Sequence, residues 1–134
     1  MNDSREQSAR ILHLALVGGV VLALGTFALV RRLGAAPSLD AGLARAVARL
    51  GVVLVIVGVA ASAALGRRRE SGLAEDDDSG RRALASLLVR WVLVEAAALF
   101  AGIAWFLTGL PWVLAAAVAA LAALAFSGPG RGPA

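Results

Sequence analysis

The chain has 134 residues, 60% of them hydrophobic, with a mean hydropathy of +0.82 and a formal net charge of +4. A soluble domain averages about 45–50% apolar residues, so the excess places this chain in the membrane class. There is no cysteine, which excludes disulfides, thiol catalysis, thiolate metal sites and cysteine lipidation, and all thirteen cations are arginines.

Residues Met1 to Arg10 read as a short polar tail. The first helix is predicted over residues 9–30. Its apolar run, Ile11 to Val30, has 20 residues. At 1.5 Å per residue it spans about 30 Å, the hydrocarbon thickness of a bilayer. A secretory signal core is shorter, about 7–15 residues, and Arg31 and Arg32 stand where a small-residue cleavage site belongs. The run is therefore read as a retained helix.

Gly34 and Pro37 break the chain after it, and Ser38 is the expected N-cap of the next helix, with Asp40 in its first turn. Residues 38–49 mix Asp40, Arg45 and Arg49 with apolar residues. They fit either a surface segment or the protruding start of the second helix, predicted over 43–66. Residues 67–82 form a hydrophilic loop with basic ends and an acidic middle. A third helix is predicted over 84–108 and a fourth over 111–126. Gly109 suits the residue just past a helix end, and Pro111 the first turn of the next. So short a turn requires the last two helices to be antiparallel neighbours.

These elements predict an all-α, polytopic membrane fold. A single domain, residues 1–134, crosses the bilayer about four times as two helical hairpins. Cytoplasmic segments carry the excess of arginine. With both termini inside, nine arginines fall on the inner side and four, Arg31, Arg32, Arg45 and Arg49, on the outer. The expected location is the plasma membrane, with loop 67–82 and both termini cytoplasmic. Basicity at helix ends is explained by headgroups, and no motif or stacking face supports nucleic-acid binding.

Glu95 is the sharpest chemical feature. A carboxylate within a membrane helix is costly, by about 2.5–3.5 kcal/mol on insertion scales, and such groups normally face a partner or water. Low dielectric favours the neutral form of a carboxyl, the property a proton carrier needs. Trp91 and Arg90 read as an interfacial pair, and Trp105, Phe106 and Trp112 as an aromatic belt at the other side. Glu95 then lies about 6 Å inward from Trp91. His13 and Arg90 enter from the same side, giving a candidate intramembrane polar cluster of Glu95, His13 and Arg90. Five residues separate Arg90 from Glu95, poor spacing for a pair on one helix. A His13–Glu95 contact across helices is the better expectation.

Small residues mark packing faces: Ala98 with Gly102 beside Glu95, Ala15 with Gly19, Gly18 with Gly25, and Gly58 with Ser62. The acidic run Glu75–Asp78 lacks the alternating ligands and turn glycine of a calcium loop and reads as solvated. No phosphate loop, nucleophile triad or zinc motif occurs, so no catalytic, cofactor or metal residues are assigned and no enzyme is expected. The expected surroundings are the lipid bilayer and either a homo-oligomer or a larger membrane complex.

The stretch V-L-V-E-A-A-A-L-F-A-G, Val92 to Gly102, resembles the carboxylate helix of rotary ATPase proteolipids, the c-ring subunits. That resemblance implies an ion-binding role for Glu95. The overall layout resembles small four-helix membrane proteins of bacteria, which implies no activity. The leading expectation is an accessory or structural membrane subunit, and the alternative is a proton or ion carrier using Glu95.

Overall fold

A computed structural model describes residues 2–70 and 79–128. The acidic run Glu75–Asp78 and Arg131 lie outside the described residues. Four helices follow one another: α1 Asn2–Arg32, α2 Ala41–Glu70, α3 Ser79–Thr108 and α4 Pro111–Phe126. By length and composition, Gln7–Arg32, Ala41–Arg67 and Ala85–Thr108 are candidate membrane spans. α4 has 16 apolar residues, which reach about 24 Å against the roughly 30 Å of a bilayer core.

Several boundaries differ from the sequence reading: α2 runs on to Glu70 and α3 begins at Ser79, so residues 67–70 and 79–82 of the expected hydrophilic loop are helical. α1 begins at Asn2, so the expected polar tail is helical. Residues 41–49 are continuous with α2, which therefore begins two residues before the expected start at 43. The cap of α2 is Asp40 and not Ser38: Asp40 Oδ1 accepts from the backbone N–H of Gly42 at 2.8 Å and of Leu43 at 3.1 Å. Those two N–H groups otherwise have no intrahelical acceptor, and the carboxylate sits at the positive end of the helix dipole.

The two breaks fall where glycine permits them. Gly34 has φ 75°, with its N–H donating to Arg31 and that of Ala35 to Val30. This is the paired closure that satisfies the last carbonyls of α1. Gly109, at φ 69°, ends α3 in the same left-handed conformation, its N–H donating to Trp105 at 2.7 Å. Pro111 then opens α4, as expected.

α3 is the centre of the molecule. It packs against α1, α2 and α4, while no α1 residue brings its Cα within 8 Å of α2 among the described residues. The expected first hairpin is therefore not a packed pair. α3 separates its two arms, with α4 touching all three other helices on one side.

Small residues make this possible. The buried positions of α2 are Ala48, Gly51, Val55, Gly58 and Ser62. Those of α4 are Val113, Ala117, Ala120 and Leu124. Both sets alternate steps of three and four, the 3.5-residue period that keeps a seam facing its neighbour. A Cβ at Gly58 would stand 2.9 Å from Ala97 Cβ, and one at Gly51 would stand 3.0 Å from Ala104 Cβ. In lipid there is little hydrophobic drive between helices, so close approach and dispersion hold them together.

The outside is correspondingly apolar. Ile11, Leu14, Leu22, Leu29, Ile56 and Val57 are all more than half exposed. A surface like this on a soluble monomer would be exceptional. It suits a bilayer as solvent.

Candidate functional site

Of the three expected cluster residues, His13 is the most buried. Its ring packs against Trp91 with centroids 4.9 Å apart, tilted by 53°. A Cβ at Gly128 would stand 3.1 Å from His13 Nε2, so the end of α4 closes over the imidazole. His13 Nδ1 is buried with no hydrogen-bond partner among the described residues.

Trp91 is 1% exposed. Its ring is therefore packed inside the bundle. Trp91 Nε1 donates to the Ser127 carbonyl at 3.1 Å. Ser127 Oγ in turn donates to the Leu124 carbonyl at 2.8 Å. The indole thus ties the C-terminal end of α4 to α3 and shelters His13 beneath it.

Arg90 turns the other way. A Cβ at Gly66 would stand 3.1 Å from its guanidinium carbon, which places the head group over α2. Its Nε is buried and has no hydrogen-bond partner among the described residues. Five residues on a helix advance about 140° beyond a full turn, so Arg90 faces α2 while Glu95 lies toward α1.

Glu95 is half-buried and makes no hydrogen bond or ion pair among the described residues. It shares its side of α3 with Ala98 and Gly102, both buried. Gly102 meets Leu24 and Phe27 of α1. Two contacts, His13 to Trp91 and Leu24 to Gly102, each join residues 78 apart. That register sets Val17 level with Glu95 and His13 about one turn away. His13 stacks on Trp91 and does not reach the carboxyl. Of the three residues expected to meet, His13 is directed to Trp91, Arg90 to α2, and Glu95 to neither of them.

Next to Glu95 along α1 come Gly18 and Gly19. Both are exposed, and a Cβ on either would meet nothing within 4 Å, as at Gly25. The small-residue faces read on the first helix therefore point out of the molecule. Those read at Gly58–Ser62 and Ala98–Gly102 are buried inside it.

A second polar centre, at the opposite end, escaped the sequence reading. Arg31 Nη1 donates to the Phe106 carbonyl at 2.5 Å and to that of Trp105 at 3.4 Å. Its guanidinium carbon lies 5.8 Å from the Trp105 ring centroid. A cation on the C-terminal carbonyls of a helix is favoured by both hydrogen bonding and the helix dipole. Phe27 and Phe106 pack beside it at 5.3 Å. Arg31 is thus a staple between α1 and the end of α3. The available signal was its place in the last turn of α1, level with the predicted Gly109 turn.

Among the described residues no three His, Asp or Glu side chains group as metal ligands. No family model, no curated protein and no solved structure matches the chain. The proteolipid-like stretch around Glu95 thus remains a local likeness. The findings support a small four-helix membrane protein.

Proposed function

We propose that the chain is a non-enzymatic membrane subunit that holds a partner within the bilayer. In this reading all four helices cross, α4 being a short crossing packed antiparallel to α3. Both termini lie on the cytoplasmic side of the plasma membrane. Nine arginines against four support that orientation.

The observation that carries the reading is Glu95: a carboxyl within a candidate span that has no partner among the described residues. Such groups are costly in lipid, and a subunit that keeps one has a use for it outside its own fold. His13 serves the fold, filling the space between Trp91 and the end of α4.

The test is purification from native membranes in mild detergent, with Glu95→Gln alongside. A defined complex with another membrane protein is expected, loosened by the substitution while the helix content of the chain is unchanged. A wild-type chain that elutes alone overturns the reading.

The alternative is a proton or ion carrier, favoured by the partial exposure of the same residue. Purified chain in proteoliposomes would then conduct protons, and Glu95→Gln would abolish the flux without dispersing any assembly.

A further inference from the structure

One side of α3 is bare. Ala85, Val89, Val92, Ala96, Phe100 and Ile103 recur at steps of three and four, and all are exposed. This stripe lies opposite the seam with α4 and between the lines where α1 and α2 attach. It is bounded toward α2 by Leu93, which touches Gly58, and toward α1 by Glu95 and Leu99. Because α1 and α2 do not meet, nothing in the described chain closes this side. The result is a shallow open face with α3 as its floor and one carboxyl at its edge.

We propose that this face receives a membrane helix of another protein that carries a basic side chain at the depth of Glu95. The proposal rests on the partner-holding reading above and names the partner's chemistry.

Charge complementarity selects the occupant. A hydrocarbon chain covers the apolar stripe but offers no donor to a carboxylate, whereas an ammonium or guanidinium does. A second copy in the same orientation would bring Glu95 to Glu95 across a two-fold axis, and like charges disfavour that pairing. Two cations within the candidate spans are directed elsewhere. Arg31 is held by the end of α3, and the head group of Arg90 lies on Gly66.

The experiment uses the full chain, whose lack of cysteine permits single labelling sites. Ala96→Cys on the open face, or Ala119→Cys on the exposed side of α4, carries a fluorophore. The purified chain is reconstituted in phosphatidylcholine vesicles with a quencher-labelled poly-leucine transmembrane peptide. The peptide bears one lysine placed about one turn inside its cytoplasmic end, or none. Expected is association about tenfold tighter for the lysine peptide than for the all-leucine one. Quenching should be strong from position 96 and weak from position 119, and Glu95→Gln should remove the preference. Equal binding of the two peptides overturns the proposal, as does a preference that survives Glu95→Gln. Disulfide-linked dimers of the unlabelled Ala96→Cys chain in peptide-free vesicles also overturn it, by showing a second copy on this face.

Failure here is separable from failure of the broader reading. A partner that copurifies but cross-links to position 119 leaves a partner-holding subunit with a different docking side. A chain that purifies alone yet prefers the lysine peptide keeps the site and loses the native complex.

Discussion

Gly58→Ala isolates the principle that holds α2 to α3. The added methyl would lie 2.9 Å from Ala97 Cβ and 3.2 Å from the Leu93 carbonyl oxygen, about half an ångström inside ordinary contact at the closer atom. Neither obstacle is the free end of a side chain. One is a Cβ fixed to helical backbone and the other is the backbone itself, so relief requires α2 to move away along its length. Overpacking of that kind costs about 1–3 kcal/mol. Alanine's helix preference returns about 1 kcal/mol, leaving a net loss of up to about 2 kcal/mol. Gly18→Ala is the control: nothing lies within 4 Å of the added methyl, so only the helix preference acts and the variant should be neutral to stabilised by up to about 1 kcal/mol. Gly51→Ala adds a second test, its methyl meeting Ala104 Cβ at 3.0 Å on the same face. If α2 moves as a rod, one displacement relieves both clashes, and the double variant costs less than the two singles combined. Reversible unfolding in mixed micelles on raising the dodecyl sulfate fraction reads all four. Equal stability of Gly58→Ala and Gly18→Ala would refute the close-approach argument.

Two further perturbations probe the two ends of the bundle. Arg31→Met keeps the apolar stem but strips the donors from the Trp105 and Phe106 carbonyls, and should cost about 1–3 kcal/mol. Hydrogen exchange should quicken around the turn at Gly109, and unchanged protection there would show that the staple is idle. Trp91→Phe removes the donor to the Ser127 carbonyl and should cost about 0.5–1.5 kcal/mol. Faster exchange at the last turn of α4 would accompany it, and unaltered exchange would mean that α4 is held by its alanine seam alone.

The helices were legible because their determinants are local. Twenty apolar residues, a glycine able to take positive φ at 34 and 109, and a proline at 111 mark ends without reference to the rest of the molecule. The N-cap of α2 was misplaced by two residues because Ser38 and Asp40 are both good caps, and only the start of the helix decides between them. Packing partners were less legible. Gly58 with Ser62 and Gly18 with Gly25 look alike in sequence, yet the first pair is buried and the second exposed. Small-residue spacing says that a face admits close approach and not that anything approaches it. The polar cluster failed for a similar reason. Depth put His13, Arg90 and Glu95 at comparable levels, but depth is one coordinate, and the angle about each helix axis turned His13 to Trp91, Arg90 to α2 and Glu95 to neither.

The separation of α1 and α2 follows from linker length. Two residues join α3 to α4, which leaves those helices no choice but adjacency. Eight residues, 33–40, join α1 to α2. Such a segment can extend about 26 Å, more than the roughly 16–20 Å needed to step across an intervening helix. The first connection therefore permits neighbours without requiring them, and packing decides. α2 places its glycines on the alanines of α3, where backbones come closest. α1, whose glycines lie on its other side, meets α3 through His13, Leu24 and Phe27. Once α3 has taken the position between them, α1 and α2 cannot also close on each other, and one side of α3 is left bare along its whole exposed stripe. Glu95 at the edge of that stripe is then a consequence of which helix the alanines belong to. Had α1 carried the inward glycines, the same carboxyl would stand inside a closed bundle and would have to find its partner there.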